Sequence, residues 1–237
     1  MSEGPVAVAA RNNAEWCDLV CRSHGLPGEF GPGFWVNRRH RLAYYPSLVT
    51  LSPRTSADDV VGALGALGAP VPGTGVKDSF ATLDLGPAGY EPLFEATWIH
   101  RPAGRDRPAG GSLSWEEVTS ADELDAWRSA CADEAAGVFL PSLLESPECR
   151  VVAGRLCGRV VAGAMVNLSE RAVGVSNVFC GERDPDEVWG GLLDAAARIA
   201  PDRPVVGYER DDALRAAIRN GCRPIGPLRV WVLPADG

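Results

Sequence analysis

The sequence predicts an α+β fold, a mixed α/β architecture in which helices flank a mixed sheet. Three apolar runs with strand character lie close together between residues 150 and 179, and short polar turns separate them. This spacing is typical of an antiparallel meander. Helices and single strands then alternate up to the end of the sequence, which adds further strands and covering helices to the sheet.

A capping box opens the C-terminal half of the chain. Ser120 stands three positions before Glu123, so each residue can satisfy a free N–H group of the other at a helix start. We predict a helix that begins here and runs to about Ala136. A second, short helix is predicted over residues 141–145.

The meander follows these two helices. Gly158 separates its first two runs, and the polar residues 169–171 separate the last two. Because both connections are short, neighbouring runs are expected to pair antiparallel. The predicted strands are residues 150–156, 159–168 and 172–179.

Capping and helix-breaking residues indicate the remaining helices and strands. Asp184 suits a helix cap and Pro185 the first helical position, while Pro201 ends the helix. Apolar residues at helical spacing up to Ile199 give this helix a buried face. A strand over 204–208, a helix over 211–220 closed by Gly221, and a strand over 228–233 complete the prediction.

The composition is that of an ordinary globular protein. The chain has 237 residues, of which 46% are hydrophobic and 23% charged. No apolar run approaches the roughly 20 residues that a membrane span requires, and we expect no membrane partner. The first residues do not form a basic segment followed by a long apolar one, so a secretory signal is not predicted and we expect a cytoplasmic protein.

The charge pattern bears on possible partners. The net charge of −8 disfavours a broad nucleic-acid surface, because such surfaces must neutralise phosphates. Residues 38–41 form the one basic tract. We interpret it as a solvated face or loop, with contact to a tRNA as the other interpretation.

The cysteines indicate neither a disulfide framework nor a metal site. There are seven, an odd number at scattered spacing, which favours reduced thiols. Cys17, Cys21 and His24 fall on one helical face, but a structural zinc site needs a fourth ligand and usually a second cluster. We therefore interpret Cys17 and Cys21 as buried core thiols and predict no bound metal.

The chain divides into two halves. Residues 101–111 are rich in Pro, Gly and charge, which predicts an exposed linker between domains at 1–104 and 112–237. In the first half we predict a helix near 14–24, an extended run over 42–51 and a helix over 57–67.

Two motifs and the order of the elements point to a known family. Val160-Val161-Ala162-Gly163 places an apolar–Gly pair in the second meander strand, and Gly221 with Cys222 follows the last helix. With this order of helices and strands, residues 112–234 resemble the GCN5-related N-acetyltransferase (GNAT) superfamily. The segment 89–99 echoes 221–232, since Gly, Pro and Trp recur at similar spacing. We infer a reduced GNAT-like N-terminal lobe; an unrelated α+β cap is the alternative.

The resemblance implies where an acyl donor would bind. In the family, acyl-CoA lies between the two strands that correspond to 172–179 and 204–208. Backbone amides of the first strand bind the pantetheine arm, and the following loop wraps the pyrophosphate. The residues so assigned to the donor are Ser176, Asn177, Val178, Phe179, Gly181 and Arg183.

The sequence departs from the family in that loop. Asp184, Asp186 and Glu187 place three carboxylates at the helix start, where they oppose a bound phosphate. Pro185 removes one N–H donor. Acyl-CoA therefore remains a possible but doubtful co-substrate, and no permanently bound cofactor is expected.

The catalytic residue that the resemblance implies is also absent from its usual position in the sequence. Many family members carry a Tyr in the last helix as the acid for the leaving thiolate, and Ala217 occupies that position here. Tyr208 and Glu209, at the end of a strand, are the nearest replacements. Tyr208 would protonate the leaving group and Glu209 would take a proton from the amine. Alternatively, Tyr208 packs at the strand end and Glu209 begins the turn or caps the helix.

We therefore expect an acyltransferase that acts on a small-molecule amine. Its donor would be a carrier-bound acyl group, an aminoacyl-tRNA or an acyl-CoA. A non-catalytic GNAT-like module that binds a ligand or a partner is the alternative, because it would also lose the phosphate loop and the Tyr.

Overall fold

The protein is described by a computed structural model, which covers residues 4–37, 42–66, 68, 71–104 and 111–235. The chain forms two compact units. The first extends up to Trp98 and resumes at Ile225, and the second extends from Ile99 to Pro224. The basic tract 38–41 and residues 105–110 of the predicted linker lie outside the described residues. The domain division at 104 and 112 stays a prediction. No described helix is long and apolar enough to cross a membrane.

The described part of the first unit contains two α-helices, most of the first five strands and most of the last strand. The helices are α1 (Pro5–Ser23) and α2 (Ala57–Gly65), and the strands are β1 (Glu29–Phe30), β2 (Phe34–Val36), β3 (Leu48–Thr50), β4 (Gly75–Asp78) and β5 (Glu91–Arg101), whose last residues enter the second unit. β1, β2 and β3 pair antiparallel in that order, and β3 pairs parallel with β4. The sheet of this unit is thus mixed.

The two faces of this sheet are covered by different helices. Leu48 and Val76 pack with Val60 and Leu64 of α2. Trp35 and Val49 pack on the other face with Cys17 of α1. Cys17 and Cys21 are therefore core thiols, as predicted, and among the described residues no three potential metal ligands come together.

Two sequence predictions for this unit were wrong in extent. The helix near 14–24 begins at Pro5, because Pro occupies the first helical position and small residues such as Ala9 and Ala10 pack closely in the core. The extended run over 42–51 is a strand only at Leu48–Thr50. Tyr44, with a φ of 65°, lies in a turn before it.

The second unit contains the meander. Its strands are β6 (Ser114–Glu117), β7 (Cys149–Leu156), β8 (Arg159–Leu168), β9 (Val173–Phe179) and β10 (Val205–Glu209), and its helices are α3 (Ala121–Cys131), α4 (Pro185–Ile199) and α5 (Asp211–Arg219). The last strand, β11 (Arg223–Val232), has its first two residues in this unit and the rest in the first unit, where its residues 229–232 pair antiparallel with β4. The sequence did not reveal β6, and it placed the start of β11 five residues too late.

The sheet of the second unit has helices on both faces. β6 to β9 pair antiparallel in chain order, and β10 adds parallel to β9. α4 and α5 cover one face through a core that includes Trp189, Leu192 and Ala217. On the other face Trp127 of α3 is fully buried and donates to the Val152 carbonyl at 3.0 Å. The predicted mixed sheet flanked by helices is confirmed.

The helix predicted to reach Ala136 is shorter. α3 ends at Cys131 because Ala132 has a φ of 54°, which is incompatible with continuing the helix. A separate 3₁₀ turn, Glu134–Val138, follows it. The short helix over 141–145 is confirmed, as a 3₁₀ helix.

Gly163 is required by close packing in β8. A Cβ atom at this position would lie 2.2 Å from Trp127 Nε1 and 2.7 Å from Phe179 Cε1. We expect Gly163→Ala to lower the free energy of unfolding by about 1–3 kcal/mol, because both rings are held by their own packing. Chemical denaturation measures the change.

Gly137→Ala is the matched control, since no atom lies within 4 Å of an added Cβ there. It is expected to change the free energy of unfolding by less than about 0.5 kcal/mol. Equal effects of the two substitutions would show that Gly163 is not constrained by Trp127 and Phe179.

Candidate functional site

β9 and β10 separate as they run in parallel. Val205 pairs with Val173 and Val206 with Gly174, and the described register ends there although both strands continue. The backbones of β9 and β10 are still close to each other at Gly207, because a Cβ atom on Gly207 would lie 2.7 Å from the Val175 carbonyl oxygen. Beyond this point no described pair joins the two strands at their carboxyl ends, which is the end of an open α/β sheet where ligands bind; we call this unpaired stretch between β9 and β10 the cleft.

A bulge in β9 lies at the same level. β9 pairs with β8 through Ser176↔Met165 and then Phe179↔Gly163, so β9 has one more residue than β8 between these pairs. Asn177 has a φ of 53°, a left-handed conformation that accommodates the extra residue. β9 thus stays paired with β8 through Phe179, and its other edge has no strand partner in the register described for β10.

The bulge also sets which side chains face the core. Val175 and Val178 both pack on the α4 face, although they are three residues apart. The Phe179 ring lies on the opposite face, 5.0 Å from the Trp127 ring at an interplanar angle of 80°. Val178 and Phe179, both assigned to the donor, therefore have packed side chains, and their backbone is the part that a ligand can reach.

Ser176 and Asn177, also assigned to the donor, are polar residues without partners in the described chain. The Ser176 hydroxyl oxygen is buried and makes no hydrogen bond. Asn177 is exposed at the bulge. An unpaired buried hydroxyl costs about 1–3 kcal/mol, so it marks a place where a ligand atom would be stabilised.

Glu209 lies at the end of β10 in an unusual environment. It is half-buried, and no hydrogen bond or ion pair to it occurs among the described residues. Loss of hydration raises the pKa of Glu209 to about 8, while the Arg210 guanidinium acts weakly against this rise. A carboxyl group with a pKa near 8 can exchange protons at neutral pH.

Two thiols lie near Glu209. Burial, and after it the charge of Glu209, raises the pKa of Cys180 to about 11. Burial also raises the pKa of Cys222 to about 12, and Glu209 adds to that rise. The sequence did not indicate these neighbours, although Cys180 directly follows β9 and Cys222 directly follows the Gly that closes α5.

Tyr208 has a different position from Glu209. Because successive side chains of a strand point to opposite faces, Tyr208 lies on the face away from Val205 and the α4 core, whereas Glu209 lies on the core face. Tyr208 is half-buried. The structure thus brings Glu209 together with Cys180 and Cys222 and places Tyr208 across the strand from it.

The start of α4 confirms the predicted cap. Asp184 Oδ1 accepts the Asp186 N–H at 2.9 Å, and Pro185, which has no N–H, is the first helical residue. The Asp186 carboxylate in turn pairs with Arg219 at 2.8 Å. The positive end of this helix is therefore occupied by carboxylates of the chain itself.

Arg183, assigned to the pyrophosphate, is held by other residues. Its Nη2 donates to Glu187 Oε2 at 2.5 Å and to the Ser112 Oγ at 3.1 Å. Glu187 Oε1 accepts from the Ser112 N–H at 2.8 Å and from its hydroxyl at 2.6 Å. These bonds, from Ser112 first and Arg183 next, lower the pKa of Glu187. Gly181, assigned with Arg183, is exposed and has a φ of 51°.

Sequence reasoning did not identify Ser112 as part of this arrangement. It stands 75 positions from Glu187, and its only signal was its place at the end of the predicted linker. We call the three hydrogen-bonded residues Ser112, Arg183 and Glu187 the α4 latch.

Solved structures with this architecture include N-acetyltransferases. A GCN5-related N-acetyltransferase from Kribbella flavida matches with a TM-score of 0.69 at 16% identity, over 99% of this chain and 98% of that one. A GCN5-related N-acetyltransferase from Sphaerobacter thermophilus has a TM-score of 0.54 at 13% identity, over 100% and 96% of the two chains.

A conserved protein of unknown function from Staphylococcus epidermidis also matches, with a TM-score of 0.59 at 10% identity, over 90% of this chain and 96% of that one. No protein-family model matches the sequence, and no curated protein matches it closely enough to count as a relative. At these identities the shared property is the fold. The chain has the GNAT fold, the fold of the GCN5-related N-acetyltransferases.

Proposed function

We propose that the protein is an acyltransferase that moves an acyl group from a thioester or ester donor to an amine. The observation that carries the proposal is the cleft between β9 and β10, with the bulge at Asn177 on its wall. Beyond the last register pair, the free edge of β9 offers backbone groups to an extended acyl arm. Structures of N-acetyltransferases with the same fold support this class of reaction.

The bulge can assist the chemistry directly. Attack by an amine on the donor carbonyl creates an oxyanion, which a fixed N–H donor stabilises. The backbone around Asn177 and Val178 is held by packing on both faces of β9, so a donor there would need little reorganisation. The Ser176 hydroxyl, buried and unpaired, would supply a further hydrogen bond to the substrate.

Glu209 and Tyr208 would transfer the protons. The amine must lose a proton as the C–N bond forms, and Glu209 would accept it, because its pKa of about 8 makes it a stronger base than an ordinary carboxylate. The donor thiol or alcohol leaves as the bond to the carbonyl carbon breaks, and Tyr208 would give it a proton. Their positions on opposite faces of β10 suit opposite sides of the reacting carbon.

The donor is proposed to be one that binds through its acyl arm. The carboxylates at the start of α4 already have partners, which disfavours a pyrophosphate there. A carrier-bound acyl group or an aminoacyl-tRNA would depend less on this helix end than acyl-CoA does. The tract 38–41, which alone would favour tRNA, lies outside the described residues.

A non-catalytic ligand-binding module is the second candidate, and the self-paired start of α4 favours it. The acyl-transfer assay separates the two. The purified protein is incubated with acetyl-CoA, S-acetylpantetheine or an acylated carrier protein and a panel of amines, and release of free thiol is followed. Amine-dependent release supports the enzyme. Thermal stabilisation by a donor without any release would support the module, since a ligand at 100 times its Kd adds about 2.7 kcal/mol.

Glu209→Gln tests the proposed base. We expect kcat/KM to fall by about 10²–10⁴-fold, because Gln cannot accept the proton. The wild-type rate should rise about tenfold per pH unit up to pH 8 and then level off, with an aromatic amine as acceptor so that its own titration does not overlap. The variant should lack this rise. Glu170→Gln, which changes an exposed carboxylate in the β8–β9 turn, is the control.

Stability should respond to pH through the same group. The pKa of Glu209 is about 8 in the folded state and about 4.3 when unfolded, so the native state holds a proton between these values that the unfolded chain has lost. Its contribution is complete below pH 4.3 and is lost as the pH rises through 8. The Tm advantage of Glu209→Gln over wild type is expected to grow from pH 5 to pH 8.5. A constant difference would contradict the raised pKa.

Ser176→Ala should separate function from stability. Removing an unpaired buried hydroxyl is expected to raise the free energy of unfolding by about 1 kcal/mol. If the hydroxyl binds substrate, kcat/KM should fall about tenfold, the loss of one hydrogen bond. Denaturation and steady-state kinetics measure the two effects. Ser114→Ala, on the exposed edge strand, should change neither, and a stabilised variant with full activity would remove Ser176 from the site.

Tyr208→Phe tests the proposed acid through its dependence on the leaving group. Alkyl thiols leave poorly without a proton, so kcat with an alkyl thioester should fall about 10²-fold. An aryl thiolate leaves without help, and the rate with an aryl thioester should be nearly unchanged. The exposed Tyr44 provides the control substitution Tyr44→Phe. Equal losses with both thioesters would assign Tyr208 to packing instead.

A further inference from the structure

The α4 latch holds together residues that are far apart in the sequence. Glu187 accepts two hydrogen bonds from Ser112 and one from Arg183, and Arg183 also donates to Ser112. The side chains of Arg183 and Glu187 are 31% and 17% exposed, so this ion pair is partly shielded from water. The ion pair of the latch is therefore expected to be more stable than a fully exposed ion pair.

The latch lies where a phosphate group of a donor would otherwise be attracted. α4 follows β9, so its N-terminus lies at the same end of the sheet as the mouth of the cleft. A helix N-terminus attracts anions, and a nearby guanidinium strengthens the attraction. Glu187 opposes both effects, because it adds a negative charge to the first turn and engages Arg183.

Space is not what excludes an anion here. A cavity of about 190 Å³ borders Glu187 and Gly111. The cavity continues along α4 past Asp194 to Arg198, about three helical turns from Glu187. A phosphate would therefore have room beside Glu187, so the obstacle is the charge and the hydrogen bonds of Glu187.

We propose that Glu187 is a specificity-determining residue, which prevents phosphate groups from binding to Arg183 and to the start of α4. It thereby favours acyl donors without a nucleotide diphosphate. The proposal rests on the proposed acyl transfer and adds to it a reason for donor choice. It assigns Ser112 the role of a positioning residue, since Ser112 fixes the Glu187 carboxylate through two hydrogen bonds.

The test compares acetyl-CoA with S-acetylpantetheine, which share the acyl arm and differ in the nucleotide. For the wild type we expect kcat/KM for acetyl-CoA to be no higher than that for S-acetylpantetheine. Glu187→Gln should raise kcat/KM for acetyl-CoA about tenfold, the scale of one or two charge-assisted hydrogen bonds to a freed Arg183. The value for S-acetylpantetheine should not change, and the gain should appear in KM rather than kcat.

Two further variants make the test specific. Glu182→Gln removes an exposed carboxylate of the same loop that has no partner in the described chain, so it controls for net charge alone. The double variant Arg183→Ala with Glu187→Gln should lose the gain, because no guanidinium is then available. Thermal unfolding of each variant verifies that it is folded.

A binding measurement gives a readout independent of turnover. Adenosine 3′,5′-bisphosphate, titrated by calorimetry, should bind Glu187→Gln about tenfold more tightly than wild type. A wild type that prefers acetyl-CoA by more than tenfold, or a Glu187→Gln variant that changes neither donor preference nor nucleotide affinity, would overturn the role of Glu187 while leaving acyl transfer intact. If no donor is turned over, acyl transfer fails, and the titration still decides the role of Glu187.

Discussion

The candidate site depends on the backbone pairing of β9, which follows β8 to its end while β10 departs. The extra residue at Asn177 lets β9 keep its bonds to β8, and Phe179 then reaches Gly163 and the Trp127 ring. Since only a residue without a Cβ fits between these rings, the bulge is fixed by core packing rather than by a loop. A cleft wall fixed in this way can hold a substrate carbonyl without reordering the strand.

Polar groups at this end of the sheet fall into two sets that differ in their partners. The carboxylates of Asp184, Asp186 and Glu187 are all satisfied by the chain. The Ser176 hydroxyl and the Glu209 carboxyl are not, among the described residues. Unpaired groups cost stability unless a ligand satisfies them, whereas paired groups resist a ligand. The contrast favours a ligand that enters between β9 and β10 and avoids the start of α4.

Sequence reasoning found the fold because the meander and the helix caps are local signals. Short turns and a helix cap such as Asp184-Pro185 depend on a few neighbouring residues, so they can be recognised in a single sequence. The end of α3 at Ala132 and the edge strand β6 were not found, since a left-handed residue and a four-residue strand leave little pattern. The α4 latch could not be predicted from the sequence, because it joins residues that are 75 positions apart. Glu209 was predicted from its place at a strand end, but its pKa depends on burial that only the fold defines.

The first unit contains a parallel strand pair that can be compared with β9 and β10. Its β3–α2–β4 segment is also a parallel βαβ arrangement, with Leu48 paired to Val76 and Val49 to Lys77. Just beyond these pairs, the Ser79 N–H donates to Thr50 Oγ1 at 2.9 Å and joins the two strands. In the second unit Val175 takes the position of Thr50 by register and has no hydroxyl that could accept such a bond. The strand pair of the first unit is thus joined by a side-chain hydrogen bond that the pair in the second unit cannot form at this position, which favours the second unit as the place of the chemistry.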